Sequence, residues 1–140
     1  MLITYLQLGG NSISNLSGIE YFTNLKFLLL SDNPITFMDL SSLNHLEHLI
    51  IFNNLNLSYQ LTSLNLTGLT ALKYLNCGQN KISNLNFTGL LNLEHVVCGV
   101  NLLTTLDFTG NPQLKNLSSF YNPNLATIKI KNVQTDIIET

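Results

Sequence analysis

LKYLNCGQNKISNLNFTGLLN (residues 72–92) and LEHVVCGVNLLTTLDFTGNPQ (residues 93–113) are 21-residue stretches that match almost position for position. Laid one over the other, Leu72 meets Leu93, Leu75 meets Val96, Cys77 meets Cys98, Asn80 meets Asn101, Leu85 meets Leu106 and Phe87 meets Phe108. A period of this size marks a solenoid. One coil cannot bury its apolar face alone, and stacked coils build the core between them.

Working outward, the pattern Leu-x-x-Leu-x-Leu-x-x-Asn, with Ile, Val, Phe or Cys allowed for Leu, recurs along the chain. The instances are Ile3-Leu6-Leu8-Asn11, Leu25-Leu28-Leu30-Asn33, Leu46-Leu49-Ile51-Asn54, Leu72-Leu75-Cys77-Asn80, Leu93-Val96-Cys98-Asn101 and Leu114-Leu117-Ser119-Asn122. Successive Asn residues are 22, 21, 26, 21 and 21 residues apart. One step is therefore five residues too long, and the extra residues fall between Asn54 and Leu61, as a loop carrying Tyr59.

This pattern resembles the leucine-rich repeat over about residues 3–133. The early coils, with ISNLSGIEYFTNL (residues 13–25), look like the 22-residue internalin-type repeat. The later ones, with Cys-x-x-Asn and Leu-Asp/Asn-Phe-Thr-Gly, are similar to repeats in secreted surface proteins of Bacteroidota bacteria. Ser119 in the third apolar position and the long third coil depart from the pattern. The resemblance implies a right-handed superhelix of about six coils, with a parallel sheet on its concave face and short extended or 3-10 segments on its back. It also implies a protein exposed at a cell surface or secreted that binds a protein partner, such as a host receptor, or a glycan.

The residues themselves carry much of the same expectation. Leu-x-Leu reads as a short strand with alternate side chains inward, and each coil adds one strand about 4.8 Å from the last. The turn Asn can donate and accept, satisfying backbone groups that the bend leaves unpaired, so Asn101→Ala should cost about 1–3 kcal/mol. Met38-Asp39-Leu40, Leu64-Asn65-Leu66, Leu85-Asn86-Phe87, Leu106-Asp107-Phe108 and Ile128-Lys129-Ile130 read as a second row of extended segments. Gly68, Gly89 and Gly110 follow as turns with positive φ.

Composition narrows the function. Only 10% of residues are charged, the net charge is −2 and there is no Arg, so a phosphate-tracking surface for nucleic acid has no material. No apolar run approaches a membrane span, and no signal peptide follows Met1, so an intracellular location is the alternative to the one the resemblance implies. Cys77 and Cys98 share an inward slot and read as buried free thiols, although a bond between adjacent strands stays open. Neither end carries a capping unit. The expectation is a single domain over residues 1–140, a piece of a longer protein whose uncapped ends can associate end to end.

The outward columns bear on binding. One runs Tyr5, Phe27, His48, Tyr74, His95, Asn116; the next Gln7, Leu29, Ile50, Asn76, Val97, Ser118; the third Gly9, Ser31, Phe52, Gly78, Gly99, Phe120. The expected partner-binding residues are Tyr5, Phe27, Leu29, His48, Ile50, Phe52, Tyr74, Asn76, His95, Val97, Val100, Phe120 and Tyr121, on a concave face too apolar for water alone. The competing reading is that the rings stack on one another and stabilise the sheet. Lys26, Glu47, Lys73, Glu94 and Lys115 alternate in sign, which reads as a register device.

Catalysis finds no foothold, since inward thiols cannot meet outward imidazoles. Tyr74 also separates His48 from His95, with no third metal ligand evident, so neither an enzyme nor a cofactor is expected. The leading reading is a non-catalytic binding module. A structural spacer or stalk is the alternative, and an ice- or polysaccharide-binding back face is a third reading, built on Asn65/Thr67, Asn86/Thr88 and Asp107/Thr109. The sequons at Asn15, Asn56, Asn65, Asn86 and Asn116 follow from the Asn-rich repeat itself.

Overall fold

A computed structural model describes residues 2–53, 58, 60–131 and 138–139. The inward Leu of each coil sits at the middle of a three-residue strand: β1 Tyr5–Gln7, β2 Phe27–Leu29, β3 His48–Ile50, β4 Tyr74–Asn76, β5 His95–Val97 and β7 Asn116–Ser118. On the back lie β6 Thr105–Asp107 and β8 Thr127–Lys129, and the chain closes with β9 Ile138–Glu139. The concave sheet runs β1-β2-β3-β4-β5-β7-β9, parallel throughout. Its register joins Leu6, Leu28, Leu49, Leu75, Val96, Leu117 and Ile138 in one row. The last member of that row belongs to a seventh strand, beyond the six coils expected from the repeat pattern.

The core is one continuous stack of these rows. Leu25, Leu46, Leu72 and Leu93 are fully buried, as are Leu28, Leu49 and Leu75, and on the back side Phe87 and Phe108 stack with ring centroids 4.5 Å apart. The first coil is less covered: Ile3, Leu6, Leu8, Ile13 and Leu16 are only half-buried. Cys77 and Cys98 are buried, unbonded thiols. Burial pushes Cys98 up to about 12, and burial with the neighbouring Cys98 holds Cys77 well above its usual 9.0. Thiols so reluctant to ionise are packing groups and not nucleophiles.

The turn Asn acts as a clamp on the coil before it. Asn33, Asn80, Asn101 and Asn122 each donate Nδ2 to the third-position carbonyl of the preceding coil, on Leu8, Ile51, Cys77 and Cys98, at 2.7–3.1 Å. Each also donates to the same carbonyl of its own coil, on Leu30, Cys77, Cys98 and Ser119. Their Oδ1 atoms accept the backbone N–H of Ile13, Leu61, Ile82 and Leu103. Leu61 thus takes the place of Ile82 and Leu103, so the chain is back in register directly after the long third coil.

One expectation here needs correction, and another falls outside the described residues. The expected turn residue of the third coil, Asn54, lies outside them, as do Leu55, Asn56, Leu57 and Tyr59, while Asn53 before it is buried. Asn53 Oδ1 accepts the Asp32 N–H at 2.9 Å and its Nδ2 donates to Asn80 Oδ1 at 2.7 Å, so this rung joins the coils on both sides. Gly68 and Gly89 turn with φ of 86° and 83°, but Gly110 does not adopt positive φ. Beside it Asn111 replaces the Leu69 and Leu90 of earlier coils at a buried position. Its Nδ2 bonds the carbonyls of Phe87 and Leu90, while Oδ1 has no partner among the described residues.

The back row consists, as expected, of short extended segments and a 3-10 turn. Among the described residues a ladder forms there between β6 and β8 alone. At the end of each of these segments the chain is bent by a side chain, with or without a ladder: Asp39, Asn65, Asn86 and, in β6, Asp107 each accept the N–H two residues on through Oδ1, at 3.0 Å. These Asx turns explain the recurring Asn/Asp-x-Ser/Thr spacing as bend chemistry. The Ser41 N–H foremost holds the Asp39 carboxyl below its usual range, and the Thr109 hydroxyl, then the Thr109 N–H, does the same for Asp107. In the second half of the first coil the segment is a 3-10 turn, Ile19–Tyr21, entered from Gly18 at φ 97°.

Candidate functional site: the concave face

Strand pleating puts the outward residues of β1–β5 and β7 on the concave side in the columns expected from the sequence. Tyr5, Phe27, His48, Tyr74 and His95 form one continuous ribbon of rings. Tyr5 and Phe27 stack at 4.4 Å with planes 8° apart, and the following centroids are separated by 6.2, 5.9 and 6.3 Å with tilts of 34°, 31° and 45°. His95 continues the row through Nδ1, 2.8 Å from Asn116 Nδ2. The rings therefore do stack on each other, and they still present outward faces: Tyr5 and His48 are exposed and Phe27, Tyr74 and His95 half-buried.

Leu29, Ile50, Asn76 and Val97 line the adjacent column, all half-buried. Phe52 and Phe120 stand at the turn edge, 37% and 44% exposed. Phe120 lies over Gly99, where a Cβ would come within 2.8 Å of its ring, so the absence of a side chain at 99 makes the seat. Ser31, expected to face outward in this column, is instead buried, and its hydroxyl has no partner among the described residues.

Val100 and Tyr121 sit in the turns. With Gly10, Asp32 and Gln79 they form a column of left-handed residues just before the turn Asn, with φ of 57° for Val100 and 51° for Tyr121. A β-branched residue there carries strain of roughly 1–2 kcal/mol. Val100→Gly is therefore expected to raise stability by up to about 1 kcal/mol, after the entropic cost of Gly. Equilibrium denaturation checks this, and a midpoint lower than that of the parent would show that Val100 packing outweighs the strain.

Along the outer side of the ring ribbon the charges cancel locally. Glu47 bridges Lys26 at 3.2 Å and Lys73 at 2.7 Å, and Glu94 bridges Lys115 at 2.7 Å. Lys73, foremost, and then Lys26 hold the Glu47 carboxyl below its usual range, and Lys115 does the same for Glu94. Toward the C-terminal end the face opens into a hollow of about 380 Å³ lined by Tyr74, His95, Val96, Val97, Asn116, Leu117 and Ser118. Asn116 and Ser118 were not among the expected site residues, although their columns held the signal. His45 and Asn92, outside this face, bond the carbonyls of Thr23 and Thr70 in the preceding coil, each at 3.0 Å, a minor second ladder.

Parallel three-residue strands at a 21-residue period, the Asn clamp and the nearly helix-free back define a leucine-rich-repeat protein. Solved structures with which the chain shares this architecture are internalins of Listeria monocytogenes. The functional domain of InlJ, described as including a cysteine ladder, has a TM-score of 0.78 at 36% identity, over 87% of this chain and 26% of that one. InlF has a TM-score of 0.73 at 24% identity, covering 94% of this chain and 44% of its own, and shares the fold. InlC2 does likewise with a TM-score of 0.59 at 23% identity, covering 94% and 75%. The chain spans about a quarter of the InlJ chain it matches. No protein-family model and no curated protein matches it.

Proposed function

We propose that the chain is a non-catalytic recognition module that binds another protein across its concave sheet. The observation that carries this reading is the ring ribbon from Tyr5 to His95, flanked by Leu29, Ile50 and Val97. It forms a contiguous apolar and aromatic strip on a face open to solvent. Stacking fixes the rings at little further entropic cost on binding, and rigid aromatic groups are the usual anchors of protein interfaces. Location at a cell surface or in the secreted fraction belongs to the same proposal. Its support is the resemblance of the later coils to repeats of secreted surface proteins, and fractionation of cells expressing the full reading frame checks it.

The test is joint replacement of Leu29, Ile50 and Val97 by Asp, with partners drawn from a displayed library of extracellular protein domains. Binding is expected to fall by at least about 100-fold, since three charges are desolvated at the contact. The three positions flank the core without filling it, so circular dichroism and the unfolding midpoint should stay close to the parent. Undiminished binding by a folded triple variant would point to a spacer that tolerates any surface change.

A further inference from the structure

The chemistry of the partner can be narrowed from how the face disposes of its own charge. The acidic groups bordering the ribbon are engaged by Lys side chains of neighbouring coils: Glu47 by Lys26 and Lys73, Glu94 by Lys115. Inside that border the two central columns of β1–β5 and β7 hold no Asp, Glu, Lys or Arg, their titratable groups being Tyr5, Tyr74 and the imidazoles of His48 and His95; Glu139 of β9 follows Ser118 in the second column, two strands beyond the end of the ring ribbon. A partner bringing Asp, Glu, Lys or Arg to the ribbon would desolvate a charge with nothing to meet it.

The face is also graded along its length. The second and third coils offer Leu29, Ile50 and Phe52, whereas the fourth offers Asn76 and the sixth offers Asn116 and Ser118, which line the hollow. In the hollow, ring faces of Tyr74 and His95 and the side chain of Val97 form apolar walls. Asn116 spends its Nδ2 on His95, and its Oδ1 and the Ser118 hydroxyl stand at the rim, where an incoming group can bond them.

We infer that the occupant of the concave face is an uncharged strip of a partner protein, with apolar side chains over the Leu29–Ile50 end and an amide or hydroxyl side chain set in the hollow against Asn116 and Ser118. This rests on the proposed role of the concave face and adds the chemistry and orientation of what lies there. An anchor of that kind is selected because the Asn116 and Ser118 oxygens, desolvated on binding, require a donor. Contact without charge pairs also means that affinity owes little to Coulomb steering, so salt should scarcely change it.

The probe is a random 12-residue peptide library displayed on phage, selected against the whole chain. Selected peptides are expected to be poor in charged residues and to hold an Asn, Gln, Ser or Thr. Their affinities should change by less than about twofold between low and high salt, where charge-paired contacts lose tenfold or more. Asn116→Ala with Ser118→Ala should weaken these peptides by about tenfold. The same peptides with Ala at the amide or hydroxyl position should bind parent and double variant alike. Acidic or basic consensus peptides with steep salt dependence would overturn the inference while leaving the concave site standing. Peptides that bind the Leu29/Ile50/Val97→Asp variant as well as the parent would instead overturn the site itself. Capture of neutral oligosaccharides from a glycan array with no peptide selected would overturn the choice of a protein partner.

Discussion

Phe87→Ala is expected to destabilise the protein by about 3–5 kcal/mol, the range for emptying a fully buried aromatic site. Phe87 is 1% exposed and its ring lies flat against Phe108, itself 2% exposed, so truncation removes burial and a stacking partner together. A solenoid cannot close such a hole from several sides, because each coil touches only its neighbours. Denaturant titration gives the loss in midpoint. A second readout is available in Cys77 and Cys98, whose burial shuts off thiol chemistry in the folded chain. Labelling of these thiols should quicken in the variant as the fourth and fifth coils part more often. A midpoint within about 1 kcal/mol of the parent would mean that the surrounding leucines refill the space.

Asn101→Ala should cost about 2–3 kcal/mol, at the top of the range expected from sequence. The reason is which groups lose a partner. Asn101 is 3% exposed and accepts the Ile82 N–H, which the change leaves unpaired, while the Cys77, Cys98 and Gly99 carbonyls each lose one donor and keep another, in Asn80 Nδ2, Asn122 Nδ2 and the Gln79 N–H. Asn101→Asp keeps an acceptor but aims a carboxylate at carbonyl oxygens, so it should be no better than Ala. Asn122, only half-buried and bonded to two carbonyls, should lose less on the same change. Equal unfolding midpoints for the Asn101 and Asn122 variants would remove burial as the cause.

The features legible in the sequence are those that one coil repeats from another. The inward Leu rows, the turn Asn, the ring column and the alternating charges all follow from superposing the coils, because a stacked neighbour demands the same geometry at the same position. What escaped is whatever depends on a departure from that identity. Asn53 holds no fixed place in the repeat pattern, yet it is buried and bonds the coils on both sides. Gly110 resembles Gly68 and Gly89 in sequence. The buried Asn111 that follows it bonds the coil behind, and here the bend does without a left-handed glycine. The back-side Asn and Asp residues read as a surface ladder because they face water, while their Oδ1 atoms are committed to the bend.

The same contrast holds at the candidate site. The two columns from Tyr5 and Gln7 lie where alternation put them, whereas Ser31 in the third is buried, and Val100 and Tyr121 owe their place to a left-handed turn and not to a strand. The hollow needed the structure, since its walls come from three coils and its rim depends on the bond between Asn116 and His95.

The clamp made by the turn Asn has a direction. Asn33, Asn80, Asn101 and Asn122 each reach back to the coil already made, and none of them reaches forward to the third-position carbonyl of the coil to come. A chain leaving the ribosome N-terminus first therefore meets its fasteners in working order, each new coil bringing the side chain that secures it to the one before. Closure can keep pace with synthesis, one turn at a time, without waiting for the C-terminus.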